Sequence, residues 1–364
     1  MFVAWRDLRS AKGRFVLIGS VVTLITVLVQ FLSGLTAGLA SENVSAVWSL
    51  PVDRVVFSSL SSGADPQFAD SSVSQADADA WAAVPGVEGV EPLGVSQTRA
   101  EVGGVRVAVS LLGVQPGFVA GPALEDAALG DGLADGSVAL SSAAAADLGV
   151  EVGGTVTINE TGYTVAAVGG DSWYSHTPVV WTTLSDWQSY SAATGSPDAF
   201  ATVLAVTGTA DWTAADTSTQ TVSVSRLGSL VAIGSFRSET GSLLLMVAML
   251  FAVSALVIGA FFTVWGMQRS SDVAVLKALG ASTRSLVRDA LGQALVVLGI
   301  GIGVGTVVVV VLGALAGQVL PFVLSPLTTL LPALVMSVLG LAGAATALRS
   351  VTSADPLTAL GSNR

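Results

Sequence analysis

The side chains able to do chemistry are few in this chain, and they are confined to three stretches. Its single histidine, His176, stands in "DSWYSHTPVVW" close to Asp171, Ser172 and Ser175, which are the residue types of a nucleophile, base and acid set. Such sets gather their members from distant segments. His176 is therefore read as a loop-cap or core histidine beside a strand, with direct ligand contact as the alternative. The acids of "EDAALGDGLAD", Glu125, Asp126, Asp131 and Asp135, offer oxygen ligands but lack the fixed alternation of a calcium loop, so they are read as a solvated acidic loop. There is no cysteine, which removes disulfides and thiolate metal sites, and one histidine leaves no ordinary structural zinc site. Neither a phosphate-binding G-x-x-x-x-G-K-[ST] nor a G-x-S-x-G occurs.

The third stretch is "RSSDVAVLKALGAST", Arg269 to Thr283, which holds one of only two lysines in the chain. From Asp272 to Ala281 helix formers predominate, and Gly280 is placed to stop the helix. Val273, Leu276 and Leu279 fall near one face, with Lys277 off it. The element is too short and too polar to cross a bilayer. It offers an apolar strip either to the chain's own helices or to another protein.

The elements that position these stretches follow from where charge is missing. The 364 residues are 52% hydrophobic and 11% charged, against about a quarter charged in soluble domains. No charge occurs from Phe15 to Ser41, from Thr240 to Gln268, or from Ala290 to Leu348. A spanning helix needs about 20 apolar residues. The first two gaps hold one span each, and the third holds two, broken at "AGQVLPFVLSP" by Gln318, Pro321 and Pro326. The expected spans are 15–38, 241–266, 291–315 and 328–348, with a short external loop at 316–327. The fold class is thus a membrane protein of four transmembrane α-helices, with a large extracellular α/β domain between the first and second.

Basic residues cluster before the first span, in 267–290 and in 349–364, which places these segments and both termini in the cytoplasm. Residues 39–238 carry five arginines, no lysine and many acids, and are expected outside. Residues 1–14 suggest a cytoplasmic interfacial helix, with Phe2, Trp5 and Leu8 near one face and Arg6, Arg9 and Lys12 near another; the alternative is a basic flank that only fixes topology. The first apolar run is too long for an ordinary signal peptide and is read as an uncleaved anchor. In the external segment "SQADADAWAAV" and "LSSAAAADLGV" read as helices, and "GVRVAVSLLGV", "GTVTINETGYTVAAVGG" and "TPVVWTTL" as strands. Glycines four apart (Gly34 and Gly38, Gly299 and Gly303, Gly301 and Gly305, Gly313 and Gly317) predict close helix contacts, within one chain or across a dimer. A net charge of −11 argues against nucleic acid.

"RSSDVAVLKALGASTRSLVRDALGQAL" resembles the cytoplasmic loop of FtsX-like, or MacB-type, permeases of ABC transporters. "WRDLRSAKGRF" is similar to that family's leading helix, and "ALRSVTSADPLTAL" to its closing segment. One span, a large external domain and three further spans is also the family's layout. Two positions depart from its pattern: Asp272 stands where glutamate is usual, and Gln293 where the family carries an acid. The resemblance implies a homodimer of this permease working with two copies of a separate ABC ATPase subunit, in the plasma membrane. ATP is then used by the partner, this chain is not an enzyme, and it has no cofactor of its own. The resemblance further implies that Asp272, Val275, Leu276, Lys277, Leu279 and Gly280 form the ATPase-coupling helix, and that the spans act as levers on the external domain instead of lining a channel.

Within the family, "LSGLTAGLASENVSAVWSLPVDRVVFS" and "SWYSHTPVVW" look most like the DevC and HrtB group, whose HrtB-type members export haem. The cargo implied is haem, taken from the outer leaflet, and haem iron is the only metal this implies. Glu42, Asn43, Arg237, Glu239 and Met246 are then expected near the level where the first two spans emerge. A carboxylate or thioether would ligate iron, and Arg237 would meet a propionate. The alternatives are an FtsX-like regulator of a cell-wall hydrolase, or an extractor of lipids, lipoproteins or peptides.

Overall fold

The computed structural model describes residues 12–59, 64–118, 133–268, 275, 280 and 282–352. The 1–14 helix before residue 12, the acids Glu125, Asp126 and Asp131, and Asp272, Leu276, Lys277 and Leu279 lie outside them. The chain divides into two compact units, Leu39–Gly241 and the remainder on either side.

The unit made of residues 1–38 and 242–364 holds most of the apolar helices. Among the described residues four helices are long and apolar enough to cross a membrane: α1 (Lys12–Trp48), α7 (Gly234–Gln268), α8 (Thr283–Ala316) and α9 (Pro326–Thr352). α1 and α7 both run past the uncharged gaps, because nothing in "SENVSAVW" or "GSFRSET" breaks a helix. Ser282 caps α8, its hydroxyl accepting from the Ser285 amide. The helices share a core that includes Val22, Val29, Phe262, Leu298 and Met336.

Glycine spacing separates into used and unused pairs. A Cβ on Gly301 would come within 2.7 Å of Val22, and one on Gly305 within 2.6 Å of Thr26, so α8 lies directly against α1. Gly34 and Gly313 both make room for the Phe322 ring. Gly299 and Gly303 meet no atom within 4 Å. Polar groups tie the same helices together. Thr23 Oγ1 donates to the Gly301 carbonyl (3.1 Å), and the fully buried Gln30 donates through Nε2 to Thr306 Oγ1 (2.9 Å) and the Thr329 carbonyl (3.0 Å). Gln293 is also fully buried, and its Nε2 donates to Asp289 at 3.1 Å.

Gly305→Leu is therefore expected to destabilise the helix bundle by about 1–3 kcal/mol or more through overpacking. Gly299→Leu should be tolerated. The aggregation temperature of detergent-solubilised full-length protein checks this, and an equal response to the two substitutions would contradict it.

The external unit is built on one ten-stranded sheet, in the order β10-β1-β9-β2-β3-β8-β4-β6-β5, with β7 on β8. Its strands are β1 (Arg54–Ser58), β2 (Val87–Val102), β3 (Val105–Val114), β4 (Ser137–Leu140), β5 (Thr155–Ile158), β6 (Thr161–Val168), β7 (Trp173–Tyr174), β8 (Thr177–Thr183), β9 (Val203–Gly208) and β10 (Thr221–Ser225). β2 also pairs with β5, through Ala100 with Ile158 and Glu101 with Thr157. That pairing closes β2, β3, β8, β4, β6 and β5 into a six-stranded ring. The 16-residue β2 leaves the ring at its other end to pair with β9, which carries β1 and β10.

Short helices cover this sheet: α2 (Gln75–Ala82), α3 (Ser142–Leu148), α4 (Leu184–Ala193), α5 (Trp212–Thr219) and α6 (Arg226–Leu230). A capping box at Ser74 and Asp77 starts α2, and Gly149, at φ +64°, closes α3. Two cores result. One contains Val109, Leu111, Val138, Val156, Val165 and Val180; the other gathers Phe57, Phe68, Leu112, Trp181 and the end of α1 at Val44, Val47 and Leu50.

Asp135, the described member of the acidic stretch, is held by the protein itself. It accepts from Thr183 Oγ1 (2.7 Å) and Ser185 Oγ (2.6 Å), and these hydrogen bonds hold its carboxyl below the usual range.

Candidate functional site

Three tight hairpins have positive φ at both central residues, the conformation of a type I′ turn. The turn Gly103–Gly104 uses glycine, which adopts it without strain, but Asn159–Glu160 and Ser175–His176 do not. Ser175 and His176, at φ +51° and +61°, join β7 to β8 through the pairs Tyr174–Thr177 and Trp173–Pro178. A serine and a histidine held this way mark a position that the surrounding structure over-determines.

What holds them is the end of α1. The Ser175 amide donates to the Asn43 carbonyl (2.9 Å) and the His176 amide to the Glu42 carbonyl (3.0 Å). Two residues on, Ser45 Oγ accepts from the Trp173 amide at 2.9 Å. The hairpin is thus hydrogen-bonded to α1 at three points, Glu42, Asn43 and Ser45. Tyr174, within the hairpin, packs edge-on against Phe68 and is buried, which pushes its phenol strongly up.

The side chains converge on Glu239, in the second turn of α7. His176 Nε2 lies 3.1 and 3.0 Å from its two carboxylate oxygens. The amide of Asn43, fully buried, donates to Oε2 at 3.3 Å and also lies 3.1 Å from His176 Nε2. His176 Nε2 cannot serve both neighbours in one protonation state. Carrying a proton, it donates to Glu239; bare, it would accept from Asn43 and turn a lone pair on the carboxylate. The first arrangement is electrostatically favoured. Asn43 Oδ1 accepts from Ser235 Oγ (2.6 Å), which in turn meets Ser175 Oγ at 2.8 Å. The cluster is half-open, with His176 32% and Glu239 40% exposed.

Of the residues expected from sequence, Asn43 and Glu239 come together here, and Glu42 contributes its carbonyl. Arg237 is engaged elsewhere, in an exposed pair with Asp65 at 2.8 Å. Met246 is exposed on α7, in the helical unit. The hydroxyls of Ser175 and Ser235 were not anticipated as partners, and His176 was expected to cap or fill the domain. Only its place between two strands, where Asn-Gly is usual, hinted at more. Among the described residues no group of three histidine, aspartate or glutamate side chains could hold a metal ion. The cluster offers instead an imidazole beside the Glu239 carboxylate. Gly280, between α7 and α8, has φ +93°, and Val275 is helical and 54% exposed.

Comparison with known proteins follows the same division. The model of the MacB-like periplasmic core domain matches residues 16–222, and that of the FtsX-like permease C-terminal region matches residues 244–356. A Staphylococcus haemolyticus protein named as a hemin transport system permease, HrtB, is 25% identical over 370 residues, 99% of each chain. An uncharacterized ABC transporter permease of Mycobacterium tuberculosis is 26% identical over 373 residues, again 99% of each chain. The periplasmic region of MacB from Actinobacillus actinomycetemcomitans is 14% identical, covering 52% of this chain and 94% of that one, with a TM-score of 0.34. With four apolar helices, an α/β domain between the first two, and family models matched on both parts, this chain belongs to the FtsX-like, MacB-type ABC transporter permeases.

Proposed function

We propose that this permease exports haem, drawing it from the outer leaflet of the plasma membrane by mechanotransmission. The observation that carries the reading is the whole-length similarity to a protein named for hemin transport. Haem is apolar, planar and carries two propionates, so it partitions into the leaflet and needs an apolar approach with a few polar groups. Glu42, Asn43, Glu239 and Met246 supply such groups, with His176 as an iron ligand once Nε2 releases Glu239, and Arg237 as a propionate partner once it releases Asp65.

The energy comes from a separate ATPase, two copies working with a permease homodimer whose termini are cytoplasmic. Residues 272–281 are the coupling helix in this reading, and Val275, exposed and apolar, is suited to docking. ATP binding can drive the lever only by the difference in docking energy between its two states.

The test is hemin titration of the full-length chain in nanodiscs, read from the Soret band, beside the hemin sensitivity of a deletion strain. Glu42→Ala, His176→Ala and Met246→Ala should each weaken binding, and the deletion strain should be hypersensitive. Unchanged spectra in all three variants together with normal hemin tolerance would overturn the reading.

A further inference from the structure

The external unit has a second feature that the Asn43 cluster does not use. A cleft of 530 Å³ opens between the segment Phe68–Ser72, the middle of β2, α4 and the loop Thr194–Ala199. Its volume falls in the roughly 300–1,000 Å³ range of small-ligand pockets.

The lining is rich in hydroxyls, contains two carboxylates, Asp70 and Asp198, and has no basic residue. Neither carboxylate makes a hydrogen bond or ion pair with a described side chain, so both are free acceptors. Trp187 forms a fixed wall: its Nε1 donates to Ser96 Oγ at 3.0 Å, and its indole fills the space that side chains at Gly94 and Gly113 would need.

The decisive group is Ser191. It is 5% exposed and lines the cleft, yet its hydroxyl has no hydrogen-bond partner among the described residues. Its helical neighbours Ser189 and Thr194 satisfy theirs through the carbonyl four residues back, both at 2.9 Å.

An orphan hydroxyl, further serines at the rim and two free carboxylates without a cation describe a particular ligand. Anions are repelled. A polyol satisfies every group, because each hydroxyl can donate to a carboxylate while accepting from a serine. We propose that this cleft binds a neutral saccharide, with Ser191 at its floor and Asp70 and Asp198 at its rim. The inference does not rest on the haem reading.

Calorimetric titration of the full-length chain in nanodiscs with chitotriose and with maltotriose tests it, with spermidine and inorganic phosphate as charged controls. At least one trisaccharide should bind saturably. Asp198→Asn, an exposed change, should weaken it by about tenfold or more, as expected for losing a charge-assisted hydrogen bond. Ser191→Leu should fill the floor and abolish binding. If neither trisaccharide binds, if spermidine alone binds, or if both variants bind as wild type does, the proposal is overturned.

Discussion

Under the proposed function, replacing Gly280 by proline is expected to reduce hemin export to the level of a strain lacking the permease, while the protein still reaches the membrane in normal amount. Gly280 sits at φ +93°, and proline is locked near −65°, so the stretch after the coupling helix must change direction. Gly280→Ala is the graded control, since a Cβ meets no neighbouring atom there and the cost is only the roughly 1–2 kcal/mol of the left-handed conformation. Val275→Asp and Leu279→Asp should match proline without any backbone effect, by putting charge on the docking strip. ATP hydrolysis by the partner, measured with and without the permease, separates docking from insertion. Normal export from Gly280→Pro would remove this stretch as the point of coupling.

The second large effect is expected at Asn43. It is fully buried and bonds through its side chain to Ser235 and Glu239 and through its carbonyl to Ser175. Asn43→Leu removes one hydrogen bond each from the Ser235 hydroxyl and the Glu239 carboxylate, which keep Ser175 and His176, at about 0.5–1.5 kcal/mol for each bond lost. In a domain of this size each kcal/mol shifts Tm by about 2–4 °C. His176→Ala should cost less stability, because its ring is partly solvated, but should remove the imidazole signature from any bound haem. Asp65→Ala breaks only the exposed Arg237 pair and should cost about 0–1 kcal/mol. Thermal unfolding of the full-length chain followed by near-ultraviolet circular dichroism ranks the three. An Asp65→Ala effect equal to that of Asn43→Leu would show that the cluster is not a structural node.

These two sites differ in how far the sequence disclosed them. The polar stretch proposed to couple to the ATPase stands out because its neighbours are uncharged for 29 and 59 residues on either side, and a polar break between such runs has few places to go. Gly280 was placed as a helix stop, and its positive φ is what that role requires. At the other site, Asn43 and Glu239 were selected for their place beside the spans, but not for meeting each other. Asp135, read as a solvated acid, is exposed as expected, and its bonds from Thr183 and Ser185 are what the sequence did not disclose.

By itself, then, the sequence determined the number of apolar helices, the position of the α/β domain between the first and second, and the family. These follow from a one-dimensional rule: every charge and backbone group in lipid carries its cost locally, so the pattern of missing charge is readable residue by residue. The tertiary structure alone decided that β2 closes a ring with β5, that Gly301 and Gly305 face α1 while Gly299 and Gly303 meet nothing among the described residues, and that His176 meets an asparagine 133 residues before it and a glutamate 63 residues after it. No local propensity encodes such meetings. They depend on strand pairings and helix contacts whose partners lie far apart in the chain, and on which faces are left over once the cores are filled.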